Sequence, residues 1–289
     1  MALADSHQLI GIEKGLPGGR VSRKDVNAEL AEQKKSDRDR SSFSVDVYAG
    51  YLRECRNHQN ATANWLKKQG LPWSFGQVLV PNNKVPDVVA YLDDAKLHNE
   101  MLYQSFLDNF PARMEEDKKT GRLGDLYEQD DYQSVERLRS KWKFEVMRDT
   151  VPDPEKDPRA GWASAEMESM KKVMKEQEDA KVKDATIELL KRLVTPIKNI
   201  VDKTARYEGG RDGRFNTNSF INNVRDVVET IPSLNLRDDP ELDQIRRQVI
   251  AEICQLDPQD LRDDPDLRKK ANESATDILD RVGNFGSSL

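Results

Sequence analysis

The chain has 289 residues, 34% of them charged and 36% hydrophobic, with a mean hydropathy of −0.81. An ordinary globular domain is roughly 25% charged, so much of this chain must be solvated helix surface around one large or two small cores. A net charge of −6 excludes global attraction to nucleic acid or anionic membrane, and the 4 Trp, 7 Tyr and 8 Phe argue against wholesale disorder.

Residues 1–40 carry GLPGGR and the alternating charges of EQKKSDRDR with few large apolar side chains, and read as a mobile tail. They lack the apolar core of a signal peptide, and no later stretch approaches the ~18 apolar residues of a membrane span. From Ser41, the residues Phe43, Val47, Leu52, Cys55, Thr62 and Leu66 fall near one helical face, which Gly70 and Pro72 end. Trp73–Pro81 switches to aromatic and β-branched residues, the mark of a short strand.

Val85, Val88, Leu92, Ala95, Asn99, Leu102 and Phe106 then form a heptad seam, with Asn99 placed to fix register. Over so few heptads the seam reads as an intramolecular contact. Arg137–Asp149 breaks the helical period. Leu138, Trp142, Phe144 and Val146 alternate with Arg137, Arg139, Lys141 and Lys143, predicting a strand with one apolar and one basic face. Pairing of strands at about Trp73–Val80 and Lys141–Met147 is the expected sheet. Pro152–Gly161 is a Pro-rich connector. Trp162 to about Val201 reads as one long helix, with a stripe at Ile187, Leu190, Val194, Ile197 and Val201 and a kink at Pro196. The loop Glu208–Asn216 ends it, and another helix runs from about Thr217 to Thr230.

The segment LRDDP occurs at Leu236–Pro240 and again at Leu261–Pro265. Asp239 and Asp264 stand where an N-cap belongs, each followed by Pro and an acidic first turn, and Asp257–Pro258 offers a third start. A cation site would need several more oxygen ligands converging from one loop, so capping is the reading.

Catalytic constellations are not recognisable, and the chain reads as a non-enzyme without metal or cofactor. His7 lies in the tail, and His58 and His98 read as lone surface residues. EGGRDGR lacks the Lys-Ser/Thr of a phosphate loop. Pairs such as Asp93–Asp94 and Glu115–Glu116 fit a solvated face. Cys55 and Cys254 read as packed thiols in a reducing cytoplasm. The cations Arg137, Arg139, Lys141 and Lys143 remain open to two readings. They could contact nucleic acid or a partner, or they could form a solvated face that meets acidic helices of the same chain.

The order of these pieces resembles an uncharacterised family of phage and bacterial proteins, often encoded beside a MoxR-type AAA+ ATPase and a von Willebrand A-domain protein. GQVLVP (Gly76–Pro81), FLDNFPARMEE (Phe106–Glu116), KWKFEV, and the stretches Arg214–Leu242 and Asp257–Leu279 carry the resemblance from near Ser41 almost to the C-terminus. It implies a protein partner of that ATPase and that A-domain protein, in the host cytoplasm, and supplies no catalytic residues. The expected architecture is a mainly α, elongated bundle of long antiparallel helices with a small two-stranded β patch. Its segments are 1–40, 41–151, 152–161 and 162–289. The expected contact surfaces are the helix Met167–Asp184 and the acidic segment Asp257–Asp266.

Overall fold

The computed structural model describes residues 3–35, 43–48, 50–121, 123–153, 165–205 and 217–289. Among these the protein is mainly α-helical with a minor β component, as the sequence predicts. The loop Glu208–Asn216, Ser41, Trp162 and most of the Pro-rich connector lie outside the described residues. No helix among those described is long and apolar enough to cross a membrane. The chain divides into two compact units. One comprises Met1–Leu9, Gly70–Asn83 and Asp149–Leu289, and the other Ile10–Gln69 and Lys84–Arg148. Each is assembled from separated stretches, where the sequence suggests consecutive segments.

The segment read as a tail is the main correction. It forms α1 (Leu3–Ser6), β1 (His7–Gly15), β2 (Arg20–Ser22) and α2 (Lys24–Lys34). Along β1, His7, Leu9, Ile10 and Gly11 are buried. The other strands of its sheet are β4 (Leu71–Pro72), β5 (Val78–Pro81) and β6 (Lys143–Thr150), in the order β4-β5-β1-β6. The two strands expected to pair therefore flank β1 instead. A central strand can be made from an apolar run as short as Leu9–Ile12, which periodicity alone does not separate from a loop.

In the first unit β4 and β5 pair antiparallel, Leu71 opposite Leu79 and Pro72 opposite Val78. Only the second half of Trp73–Pro81 is strand. Phe75 and Gly76 both take positive φ, 55° and 76°, and the Gln77 N–H donates to the Ser74 carbonyl at 3.1 Å. That is the arrangement of a type I′ hairpin turn, where Asn or Gly is the usual first residue. Here it is Phe75, 97% exposed. Gly70, at the start of the hairpin, is required by close approach, since a Cβ there would collide with the Leu79 carbonyl.

The core of this unit is helical. Helix α6 (Ala165–Ala205) packs against α7 (Thr217–Leu234) and α10 (Pro265–Ser288), and α8 (Pro240–Glu252) packs against α7 and α10. The deepest side of α6 is Ala185, Leu189, Leu193, Ile197 and Ile200, so the predicted stripe is buried at Leu190 and Ile197 and otherwise lies to one side of the true one. Ile187, Val194 and Val201 are only half-buried. On α10 the buried residues are Ala271, Ala275, Ile278, Val282 and Phe285, at alternating fours and threes. Each Leu or Ile fully withdrawn from water contributes about 1.5–3 kcal/mol.

In the second unit α3 (Arg53–Gln69) packs on α4 (Val85–Thr120). Helix α3 starts later than the sequence suggests, because Phe43 precedes β3 (Ser44–Asp46), which pairs antiparallel with β2, Val21 opposite Val45. The seam on α4 is internal, with Val88, Leu92, Ala95, Asn99, Tyr103, Phe106 and Phe110 buried. An aromatic cluster closes one end, where Tyr48 meets Phe106 and Phe110 edge-on at 6.2 and 5.6 Å between centroids.

The paired LRDDP segments are helix starts. Asp239 Oδ1 accepts from the Glu241 and Leu242 N–H groups at 2.8 and 3.4 Å, opening α8. Asp264 Oδ1 accepts from Asp266 and Leu267 at 2.8 and 3.0 Å, opening α10. Asp257 differs. It accepts from the Gln259 N–H at 2.6 Å and so closes a turn one step before the four-residue helix α9 (Asp260–Asp263). The side chain of Asn235 brackets the first cap, accepting from the Asp239 N–H and donating to the Asp239 carbonyl. Replacing Asp239 or Asp264 with Ala should lower stability by about 0.5–2 kcal/mol in a denaturant titration, and Asn should restore most of it. Stabilisation by Ca²⁺ or Mg²⁺ that wild type shows and both Asn variants lose would overturn the capping account.

Candidate functional site

The four cations do not share a strand face. Val135–Arg139 is a short helix, α5, whose N-cap Ser134 accepts from the Arg137 N–H at 3.3 Å. Arg137 and Arg139 therefore stand on α5, Lys141 in the turn after it, and only Lys143 on β6. A Ser cap with Glu136 in the first turn favours a helix here, and Leu138 and Trp142 stand four apart, a helical spacing as much as an alternating one. Arg139 donates to Gln104 Oε1 at 3.0 Å, and Lys143 pairs with Glu13 at 2.5 Å. Further along β6, Glu145 pairs with Lys96 at 2.9 Å and Arg148 with Asp93 at 3.8 Å. The strand's exposed charges are thus mixed in sign and meet opposite charges of their own unit. Exposed pairs of this kind contribute about 0–1 kcal/mol each.

The most organised polar arrangement in this unit centres on Asn99, which is 0% exposed. Its Oδ1 accepts from Trp142 Nε1 at 2.9 Å, Gln59 Nε2 at 3.1 Å and the Cys55 thiol at 3.4 Å. Its Nδ2 donates to the Cys55 carbonyl at 3.0 Å and lies 3.3 Å from His58 Nδ1. An indole nitrogen can only donate, which assigns the amide oxygen, and His58 Nδ1 must then be the acceptor of a neutral ring. Gln59 also donates to the Lys143 carbonyl at 3.3 Å, tying β6 to the same cluster.

His58 does not stand alone. Its ring meets His98 edge-on at 4.7 Å between centroids. Burial, and secondarily the neighbouring His98, lower the pKa of His58, in keeping with a ring that accepts from Asn99. His7 is another correction. It is buried, with Nδ1 2.8 Å from Ser6 Oγ and Nε2 3.4 Å from the Ser233 carbonyl, and burial lowers its pKa too. Burial pushes the Cys55 thiol up to about 11, against a smaller opposing effect of its Asn99 hydrogen bond. A thiol held protonated is a poor nucleophile, and the hydrogen bonds of the cluster hold α3, α4 and the start of β6 together. Among the described residues no group of three or more His, Cys, Asp or Glu side chains converges as metal ligands would. Asn99 was legible from its seam position; the His58–His98 contact needed the register between two helices, which no local pattern records.

Comparison with protein-family models, with curated proteins and with solved structures finds no match to this chain.

Replacing Asn99 with Ala leaves the Trp142 donor without its acceptor, leaves Gln59 with the Lys143 carbonyl alone, and opens a cavity. The expected loss is about 3 kcal/mol or more in chemical denaturation. Leu97→Ala, at a 59% exposed position two residues away, should cost under about 0.5 kcal/mol. The His58 shift has a definite sign. A histidine whose pKa is lowered by folding stabilises fully above the ordinary imidazole value near 6.5 and loses that contribution as pH falls through the folded value. Protonation would also turn Nδ1 into a donor facing the Asn99 amide. Between pH 7.5 and 5.5 the melting temperature of wild type should therefore fall more steeply than that of His58→Gln. His7 is present in both proteins, so the difference isolates His58.

Proposed function

We propose that this chain is a non-enzymatic interaction protein, a phage-encoded adaptor for a MoxR-type AAA+ ATPase and a von Willebrand A-domain protein in macromolecular remodelling. The observation that supports it is the surface between α8 and α10. Asp257, Asp260, Asp263, Asp264 and Asp266 are all exposed there, yet the backbone that carries them is fixed. The side chains of Asp257 and Asp264 hold their turns, and Arg268 Nη1 donates to the Leu261 and Arg262 carbonyls at 3.0 and 2.7 Å. A rigid acidic edge suits a basic partner surface, because opposite charge speeds encounter and selects orientation. The first half of α6 is a second exposed segment. Nucleic-acid binding loses the single basic strand face on which it rested, and no other observation favours it.

The test is a pull-down of the full chain with the ATPase and the A-domain protein encoded beside it. Capture is expected, and Asp260→Lys with Asp263→Lys should reduce it without lowering the melting temperature, since neither side chain caps a helix. Capture of neither protein overturns the reading. Capture that the double variant leaves unchanged removes the acidic edge from it.

A further inference from the structure

Helix α6 is apolar over a wider arc than its core uses. Ala185, Leu189, Leu193 and Ile200 belong to the core of the unit and are almost wholly buried. Ile187 and Val194 stand to one side of them and are half-buried. Together with Leu190 they form one wall of an open groove of about 480 Å³, whose other wall includes Leu279 and Val282 of α10. From Ile187 to Lys198 the groove follows about 16 Å of helix.

Two features of the groove are not explained by the packing of the chain itself. Gly283 and Gly286 line it within α10. A Cβ at Gly283 would meet nothing within 4 Å, and one at Gly286 would meet only Leu190 Cδ1 at 3.6 Å, an ordinary contact. Glycine is the poorest helix former after proline, so both weaken α10 without any need of the fold. Their effect is to lower one wall, which lets another backbone come close. The α6 rim carries Lys191 and Lys198, both exposed and, among the described residues, without an ion-pair partner. Glu188, one turn before Lys191, pairs with Arg192 instead, at 3.8 Å.

The two lysines are seven residues apart, about 10.5 Å along the axis, or two helical turns. Carboxylates at i and i+7 of a helix lying in the groove have the same spacing. An alkyl chain would engage one lysine with its single head group and, in an open groove, keep much of its own surface wet. An amphipathic helix covers its apolar side and leaves its polar side in water. We infer that the groove takes an amphipathic helix of a partner protein, its apolar face seated between α6 and α10 and acidic residues seven apart reaching Lys191 and Lys198. Asp280, exposed on α10, confines the acidic flank to the α6 side and so sets how the helix is rotated in its seat. A contact this short buries less than the roughly 1,200–2,000 Å² of a standard interface, so binding is weak and salt-sensitive. The groove shares no residue with the acidic edge, and binding is measured on the chain alone, so this inference and the adaptor reading can fail separately.

The probe is a labelled synthetic helical peptide about three turns long, with Leu along one face and Glu seven apart on one flank, titrated with the full chain. Its control carries Lys in place of Glu. The Glu peptide should bind, more weakly as salt rises, and the Lys peptide should not. Lys191→Glu combined with Lys198→Glu should reverse that preference, a result that misfolding does not produce. Gly283→Leu should obstruct the groove and weaken binding by about tenfold or more. The melting temperature of that variant should hold or rise, since Leu is the better helix former and the space beside Gly283 is open. Failure of both peptides to bind overturns the proposal, as does binding that Gly283→Leu leaves unchanged. Equal binding of the two peptides overturns the acidic flank. Dodecanoate that binds where the Glu peptide does not, and is lost in Gly283→Leu, would make the groove a lipid site and overturn a helix as its occupant.

Discussion

The second unit depends on one buried carboxamide. Asn99 stands in the middle of an apolar seam, where burying an amide is costly unless every hydrogen-bonding group finds a partner. Gln59 and the backbone of Cys55 come from α3, and Trp142 sits at the entrance to β6. Only one register of α3 against α4, with β6 beside them, satisfies the donors and the acceptor together. An all-Leu seam would bury comparable area in several registers, and the polar residue discriminates among them. The aromatic cluster of Tyr48, Phe106 and Phe110 can then close at one end of a helix pair whose alignment is already set.

A composition so rich in charge limits what else the chain can bury. The apolar residues are concentrated in separate clusters, one built from α6, α7, α8 and α10 and another around α3 and α4. A buried cation among the described residues is held by acceptors from distant segments. Arg23 is 5% exposed and is held by Asp131 together with the Leu126 carbonyl at 2.8 Å. Arg225 spends its guanidinium on the Cys254 carbonyl at the end of α8, where a helix leaves orphan acceptors. In such a protein a buried cation marks a junction between segments.

Legibility in the sequence followed the range of the forces involved. The caps at Asp239 and Asp264 are local, decided within four residues, and Asp-Pro before a periodic run announces them. The seam of α4 is a long periodic signal, and its polar position pointed to Asn99. Arg137–Asp149 was misread because Leu138 and Trp142 satisfy both helical and strand spacing, and only the Ser134 cap distinguishes them. The hairpin turn at Phe75 breaks the expectation that left-handed turn positions carry Asn or Gly. The role of β1 rests on partners more than sixty residues away, and four apolar residues in a polar stretch carry little information about them.

That strand reverses the usual order of assembly. β1 comes before either of its neighbours in the chain, β5 at Val78–Pro81 and β6 at Lys143–Thr150. It must wait until β6 has been made before both of its edges are covered, and contacts so distant in sequence slow folding and leave strand edges bare meanwhile. The same order warns against trimming. A protein shortened to begin at Ser41, where regular periodicity starts, would lose a strand from the interior of its sheet rather than a loose end, and β5 and β6 would each be left with an open edge inviting aggregation.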